Sequence, residues 1–257
     1  MRNNREDLRV PDAKADVYLV GLGIGGFERR TVEADEVLKE CATILHLTAF
    51  HDELSSRYGA EVINMSDIYE SDSDAQNVYD AMTVQFMDYA MGRLFLGPVA
   101  FVSYGHPLFL VDSSWSISAH CREAGVRAKA LPGTSFIDQA LIDLGERFDY
   151  GFQALESNHF FKQKITPDLR LPLLISQVGD FGSGELRTSG RVLERVQPLF
   201  DRIRALYPKD RACALFFSSW RMDMAPDVRW STVGELDALA SSIHIGSSLY
   251  VRGSFTF

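Results

Sequence analysis

The chain has few cysteines, no surplus of basic residues and no long apolar run, and each lack removes a class of function. Cys41, Cys121 and Cys213 are three in number and far apart. They make neither a disulfide framework nor a CxxC metal knuckle, so no metal is expected, and a reducing cytoplasm is the simplest setting. Lys and Arg total 26 against 35 Asp and Glu, a formal net charge of −9. That balance opposes tracking along a phosphate backbone, so nucleic acid is not an expected partner. No apolar stretch is long enough to span a bilayer, and the charged start Met1-Arg-Asn-Asn-Arg-Glu-Asp7 lacks the apolar region of a secretory signal. No membrane partner is expected either. Internal repeats and low-complexity tracts are also missing.

What is present is ample core. With 257 residues, 46% of them hydrophobic, the chain can build one large domain or two modest ones. Val17–Val20 reads as a short apolar strand, Thr43–Leu47 as a second and Glu61–Asn64 as a third. Between the first two, Thr31 to about Cys41 has helical spacing, with Thr31 placed to cap it and Glu33 and Asp35 in the electropositive first turn. Asp74 to about Leu94 predicts a long amphipathic helix with Val78, Met82, Phe86 and Tyr89 on its apolar side. A strand over Pro98–Ser103, a helix near Ser114–Ala124 and a strand over Arg127–Leu131 continue the alternation. Alternating strands and helices with short connections predict a parallel sheet covered on both faces.

After Leu131 the character changes. Leu131-Pro-Gly-Thr-Ser135 is a punctuated loop leading to a helix at Phe136–Leu144. Strands are then expected at Gly151–Leu155, Leu171–Gln177, Ala212–Phe217 and Ser247–Val251, interrupted by a strong helix over Arg191–Tyr207. The expected fold class is therefore α/β in two domains, a parallel-sheet domain over residues 15–131 and a smaller mixed-sheet domain over 132–257, with the site in the cleft between them.

Phe101-Val-Ser-Tyr-Gly-His-Pro107 is the most informative stretch, an apolar strand ending abruptly in two polar rings, a glycine and a proline. Ligands of open α/β sheets bind outside the carboxyl ends of strands, which makes this turn a candidate site. A plain strand-to-helix connection is the competing reading. Gly21-Leu-Gly23-Ile-Gly-Gly26 literally satisfies the dinucleotide fingerprint. Phe27-Glu-Arg-Arg30 intervenes before a helix can start, however, and the second strand ends His46-Leu47-Thr48 without the expected acidic residue. A nicotinamide or flavin cofactor is accordingly not expected.

VGLGIGG after the first strand, VSYGHPLF after the fourth and LPGTSF at the domain junction together resemble the tetrapyrrole-methylase superfamily, the class III S-adenosylmethionine-dependent methyltransferases. The order and spacing agree from about Val17 to Val251. A narrower resemblance lies in the second half. Gly151-Phe-Gln153-Ala-Leu-Glu156-Ser157 is similar to the GxQxxEA segment of borosin-type enzymes, which methylate backbone amide nitrogens of a ribosomally made peptide. Leu173-Leu-Ile-Ser-Gln177-Val-Gly179 resembles their LLxWQxG strand, with Ser176 at the usual tryptophan. Tyr104-Gly-His-Pro107 has the borosin form of a turn that usually reads GDP in tetrapyrrole enzymes.

The resemblance implies S-adenosylmethionine as cofactor, bound by Ser103, Tyr104, His106, Phe109, Leu110, Ser135, Phe136 and, from the second domain, Gln177. It also implies a catalytic wall of Tyr69, Tyr79 and Tyr104. Read from the residues alone, Tyr79 is equally a half-buried helix residue, Tyr69 a loop aromatic and Ser135 a helix cap. A homodimer is implied too, with Trp220, Trp230 and the aromatic tail as contributors or simply core aromatics. Fused borosin enzymes carry their own substrate on a long extension. This chain ends at Phe257, soon after Ser247–Val251, so a precursor peptide supplied in trans is the expected partner.

A peptide nitrogen is a poor nucleophile because its lone pair is delocalised into the carbonyl. Its proton must be removed, a task that suits an ionised tyrosine, and charge on the amide oxygen must be stabilised. Borosin enzymes usually place an arginine four residues before the helix tyrosine, but here that position is Ala75, and no Lys or Arg occurs between Arg57 and Arg93. Either a distant arginine serves, with Arg29 and Arg30 as candidates, or the acceptor is an easier nucleophile. The alternatives to a peptide N-methyltransferase are thus a methylase of a small molecule or tetrapyrrole-like macrocycle, and a silent cofactor- or peptide-binding scaffold.

Overall fold

A computed structural model describes residues 14–69, 75–182 and 192–254. The chain divides into two compact units, one running to Gln139 and including Trp220–Asp223, the other made of Ala140–Ser219 and the chain from Met224.

In the first unit β1 (Val17–Gly21), β2 (Thr43–Leu47), β3 (Glu61–Asn64), β4 (Val99–Ser103) and β5 (Ala128–Leu131) form a parallel sheet in the order β3-β2-β4-β1-β5. The connecting helices are α1 (Val32–Glu40), α2 (His51–Arg57), α3 (Ser66–Tyr69), α4 (Ala75–Met91) and α5 (Asp112–Glu123), and α6 (Phe136–Leu144) follows β5. Every residue of β1 and β4 is buried, as required of central parallel strands with helices on both faces, whereas edge strand β3 is not. On one face Tyr18, Val20, Ile44, Ala100 and Val102 pack with Ala34, Leu38 and Leu54 from α1 and α2. On the other, Phe101 meets Phe86 of α4 edge-on at 5.5 Å. The buried stripe of α4 is Val78, Met82, Phe86 and Ala90. Tyr89, expected in that stripe, is half-buried and carries the Arg93 guanidinium 4.6 Å from its ring.

Thr31 caps α1, its hydroxyl accepting from Ala34 N at 3.1 Å. One turn on, Asp35 accepts from Arg30, Arg57 and Tyr58. Those donors, Arg57 foremost, hold its carboxyl far below the usual carboxylate range. This network pins the start of α1 to the end of α2.

The second unit holds β6 (Gln153–Glu156), β7 (Leu173–Ser176), β8 (Ala212–Phe217), β9 (Asp227–Thr232) and β10 (Ser248–Val251) in the order β6-β7-β10-β8-β9. Only β6–β7 is parallel, so this sheet is mixed as expected. Two helices join it, α7 (Ser157–Lys162) and α8 (Val192–Leu206). Val196, Leu199, Phe200 and Ile203 of α8 bury against Leu173, Ile175, Leu215, Leu249 and Val251. The motif residues Gln153 and Glu156 have structural duties here. Gln153 exchanges side-chain hydrogen bonds with the Asp168 backbone at 2.8 and 3.0 Å, and Glu156 caps α7 by accepting from Asn158 N and His159 N. No helix among the described residues is long and apolar enough to cross a membrane.

Candidate functional site

The first sheet ends in a common edge. Gly21, Leu47 and Ser103 are in register at the carboxyl ends of β1, β2 and β4, and Val20 pairs with Leu131 of β5. Four loops therefore emerge side by side at the position where open α/β sheets bind ligands.

The backbone there is packed closely enough to demand glycine. Gly23 and Gly105 exchange N–H to carbonyl hydrogen bonds at 3.1 and 3.2 Å, which locks the glycine loop to the turn after β4. Gly105 sits at φ 73°, a conformation that side chains other than glycine rarely adopt. A Cβ on Gly133 would stand 2.5 Å from Gly105 O, 2.6 Å from Gly23 N and 2.7 Å from Gly21 O, so any side chain would wedge the three loops apart.

These contacts explain why the glycine loop is no dinucleotide cradle. Gly23 N donates to Gly105 O, Ile24 N to Thr134 O and Gly25 N to the Tyr104 hydroxyl, so successive N–H groups that a pyrophosphate would need are already engaged. A short 3-10 turn, Phe27–Arg29, then separates the glycines from α1.

The turn residues are arranged as follows. Ser103 ends β4 buried, and neither its hydroxyl nor the buried Thr134 hydroxyl in the facing loop has a hydrogen-bond partner among the described residues. The partly buried Tyr104 ring packs against the core, its oxygen 3.3 Å from Gly25 N. His106 Nδ1 accepts from Leu108 N at 3.2 Å, which leaves the ring proton on Nε2. Burial holds this imidazole below its ordinary pKa, and Asp138 opposes the shift. Phe109 stacks on Phe136 at 6.1 Å with the planes 15° apart. Leu110 takes φ 58° while 44% exposed, a strained conformation of the kind that gathers at ligand sites. Ser135 N and Oγ both donate to Asp138 at 2.6 and 2.7 Å, and Asp138 N donates back to Ser135 Oγ, a reciprocal cap at the start of α6. Those bonds, the Ser135 hydroxyl first, hold the Asp138 carboxyl below its usual range.

The remaining expected residues belong to other elements. Tyr79 is on α4, half-buried, its carbonyl accepting from the Thr83 hydroxyl at 2.9 Å. Tyr69 ends α3, and its side chain falls outside the described residues. Gln177 belongs to the second unit, just past β7, with φ 56° and its carbonyl held by the Ser157 hydroxyl at 2.9 Å and by Asp180 N. Of the two candidate cations, Arg30 is consumed by Asp35, Tyr58 and Phe27 O. Arg29 lies along the glycine loop, its Nε 3.6 Å from where a Gly25 Cβ would be.

A cleft of about 360 Å³ opens at this edge, lined by Leu47, Thr48, Ala49, Phe50, Ser66, Tyr104 and Trp220. Among the described residues, Tyr104 is the only expected site residue in its wall. Phe50 and Trp220, with ring centroids 6.3 Å apart, were not legible as site residues, because nothing in the sequence links positions so distant. Asp138 was legible in principle, since Ser135-Phe-Ile-Asp138 has capping-box spacing.

A family model described as tetrapyrrole (corrin/porphyrin) methylases matches residues 16–166. A methyltransferase/ribosomally synthesized type I borosin cyclic peptide precursor from Mycena rosella is 30% identical over 173 residues, 64% of this chain and 42% of that protein. A type III borosin precursor from Anomoporia bombycina is 25% identical over 222 residues, 86% of this chain and 26% of that one. The chain thus spans less than half the length of these two curated relatives. Among solved structures, uroporphyrin-III-C-methyltransferase from Thermus thermophilus has a TM-score of 0.64 over 93% of this chain and 92% of that one, at 20% identity. At that identity the likeness shows the fold.

Proposed function

This chain belongs to the tetrapyrrole methylase family, and from that premise we propose that it transfers a methyl group from S-adenosylmethionine to a backbone amide nitrogen of a peptide. The observation that carries the reading is the Tyr104-Gly-His-Pro107 turn, which sets Tyr104 in the wall of the cleft and its oxygen against Gly25 N. Similarity to borosin precursors supports the choice of acceptor.

The residues at the edge fit the cofactor. Two buried hydroxyls, Ser103 and Thr134, have no protein partner among the described residues, and such groups call for a ligand or water. Ser103, Tyr104, His106, Phe109, Leu110, Ser135 and Phe136 of the first unit would hold it. His106 Nε2 offers a donor, and the Phe109–Phe136 pair an aromatic surface. When bound, S-adenosylmethionine supplies an electrophilic methyl on a sulfonium, open to in-line displacement.

The chain's own work is on the acceptor. Tyr104, as phenolate, takes the amide proton onto its oxygen. An N–H donor aimed at a phenol oxygen favours the ionised form, so Gly25 N supplies part of what a neighbouring arginine would. Phe50 and Trp220 exclude water and bear on the side chains flanking the amide. Ser66 brings a hydroxyl to the same cleft, a donor for the amide oxygen as charge develops on it. Tyr69 and Tyr79 complete the proposed catalytic wall, and the working unit is a cytoplasmic homodimer.

A second reading, a small-molecule or macrocycle acceptor, is favoured by Ala75, which withholds the local cation. The test is calorimetry with S-adenosylmethionine, followed by mass spectrometry of candidate peptides incubated with protein and cofactor. Methyl gain localised to backbone amides is the expected result. Failure to bind cofactor sinks the transferase reading. Binding with transfer only to side chains or small acceptors sinks the peptide reading alone.

A further inference from the structure

Beside the Tyr104 cleft the first unit has a second one of about 320 Å³, and the two share Ala49, Phe50 and Trp220. Its inner wall is aromatic. Phe27 and Phe50 are buried with ring centroids 6.0 Å apart, and Trp220 follows 6.3 Å from Phe50. Its exposed rim is acidic, with Glu28, Glu53 and Asp223 against the single guanidinium of Arg221. Asp223 clamps Arg221 through two hydrogen bonds at 2.8 and 2.7 Å. Glu28 and Glu53 line the same opening as Arg221.

We propose that this second cleft is a subsite for a basic side chain of the peptide acceptor, an arginine or lysine whose stem lies on Phe27, Phe50 and Trp220 and whose charged head meets Glu28 and Glu53. The inference rests on the peptide reading above and names the residue class that the peptide should carry.

Three observations converge on it. Apolar walls with an acidic rim match a side chain that is a hydrocarbon stem for most of its length and a cation at its tip. Aromatic faces attract such cations, and the chain already shows the pairing at this mouth, where the Arg221 guanidinium lies 5.6 Å from the Trp220 ring centroid. That guanidinium bonds Asp223, and among the described residues the lining sets three carboxylates, Glu28, Glu53 and Asp223, against this one cation, so the rim carries a surplus of negative charge. Contiguity is the third. With the reacting amide beside Tyr104, the shared Phe50–Trp220 wall directs a neighbouring side chain of the same peptide into the second cleft. Gly26 lies in the lining at φ 124°, and a Cβ there would come within 2.9 Å of Glu28 Oε2. The net charge of −9 further steers basic peptides towards the protein.

The test is calorimetric titration of the full chain with a capped valine-rich peptide bearing one central arginine, and with its counterpart in which neutral citrulline replaces that arginine. No cofactor is present, so the outcome does not depend on methyl transfer and is read separately from the assay above. The arginine peptide is expected to bind about 10-fold more tightly, the factor that one charge-assisted contact on an aromatic wall provides. Glu28→Gln with Glu53→Gln should erase the preference without shifting the melting temperature, because both residues are exposed. Equal affinities, a preference that survives the double substitution, or no binding of either peptide overturns the proposal. If a second copy of the chain fills the cleft instead, neither peptide binds and sedimentation shows self-association that the double substitution weakens.

Discussion

The backbone N–H of Gly25 points at the phenol oxygen of Tyr104, 3.3 Å away across 79 residues of chain. A donor in that position stabilises a phenolate more than a phenol, so the bond is worth more in the reacting state than in the resting one. Tyr104→Phe is therefore expected to lower methyl-transfer turnover by about 10²- to 10⁴-fold, the range of general acid–base catalysis. Loss of one partly buried hydrogen bond should cost only about 1 kcal/mol of stability. Single-turnover transfer and urea melts on the same preparation separate the two. A turnover loss no larger than the loss of folded protein removes Tyr104 from catalysis.

Gly133 is a steric keystone of the same edge. Its missing Cβ is what lets the backbones of Gly21, Gly23 and Gly105 close around it, with three atoms at 2.5 to 2.7 Å from that point. Gly133→Ala must separate loops that belong to three different strands, and overpacking of that kind costs about 1–3 kcal/mol. Cofactor affinity should fall in parallel, because the turn bearing Tyr104 and His106 moves with Gly105. Gly59→Ala is the control, since a Cβ at Gly59 meets nothing within 4 Å. Urea midpoints should drop for the first variant and stay for the second. Equal midpoints would contradict the packing argument.

His46 gives the fold a pH dependence of its own. It is fully buried at the end of β2, its Nε2 lies 3.0 Å from His51 Nδ1, and Thr48 N approaches its Nδ1 at 3.3 Å. Burial, with the neighbouring His51 adding to it, pulls its pKa down to about 4 from the ordinary 6.5. Between those values the unfolded chain binds the proton and the folded chain does not. Stability therefore falls as the pH drops through that window, by at most about 3 kcal/mol. The Asp35 carboxylate, held far below its ordinary 3.8, acts in the same direction but only at lower pH. The difference in urea midpoint between the wild type and His46→Gln, followed from pH 7 to pH 4, isolates the histidine. It should shrink as the pH falls, and a constant difference would count against the assignment.

Much of the fold was legible because local pattern and tertiary role agreed. Thr43–Leu47, Glu61–Asn64 and Ala212–Phe217 are strands, and Phe136–Leu144 a helix, over the ranges their apolar spacing predicts. Asp227–Thr232 was missed as a strand. It is an edge strand whose alternation is brief, only Val228 and Trp230 being large and apolar on one face and Trp230 staying exposed, and it is held by pairing with Ala212–Phe217. Ser157–Lys162 was missed as a helix because a single turn carries little periodicity, and its signal was the Glu156 cap. At the site, the Tyr104-Gly-His-Pro107 turn stood out because glycine and proline punctuate it. Phe50 and Trp220 did not, since a wall built from positions 170 residues apart is a product of folding alone.

Ala75 separates the two acceptor readings. It opens the described part of α4, and Tyr79 follows four residues later, one turn along the same helix. If Tyr79 shares the work of proton removal, a guanidinium at position 75 should favour its phenolate and lower its pKa by at least about one unit. Helix stability should hardly change, because arginine is nearly as good a helix former as alanine. Ala75→Arg is thus expected to raise turnover on a peptide acceptor by about 10-fold at neutral pH and to move the ascending limb of the pH–rate profile to lower pH by about one unit. On an amine or acidic-carbon acceptor the same substitution should leave both unchanged, since no poor nucleophile then needs a tyrosinate. Rates measured across pH for wild type and variant decide the matter. An unchanged profile on a peptide that is methylated would take Tyr79 out of the base role and leave Tyr104, supported by Gly25 N, to act alone.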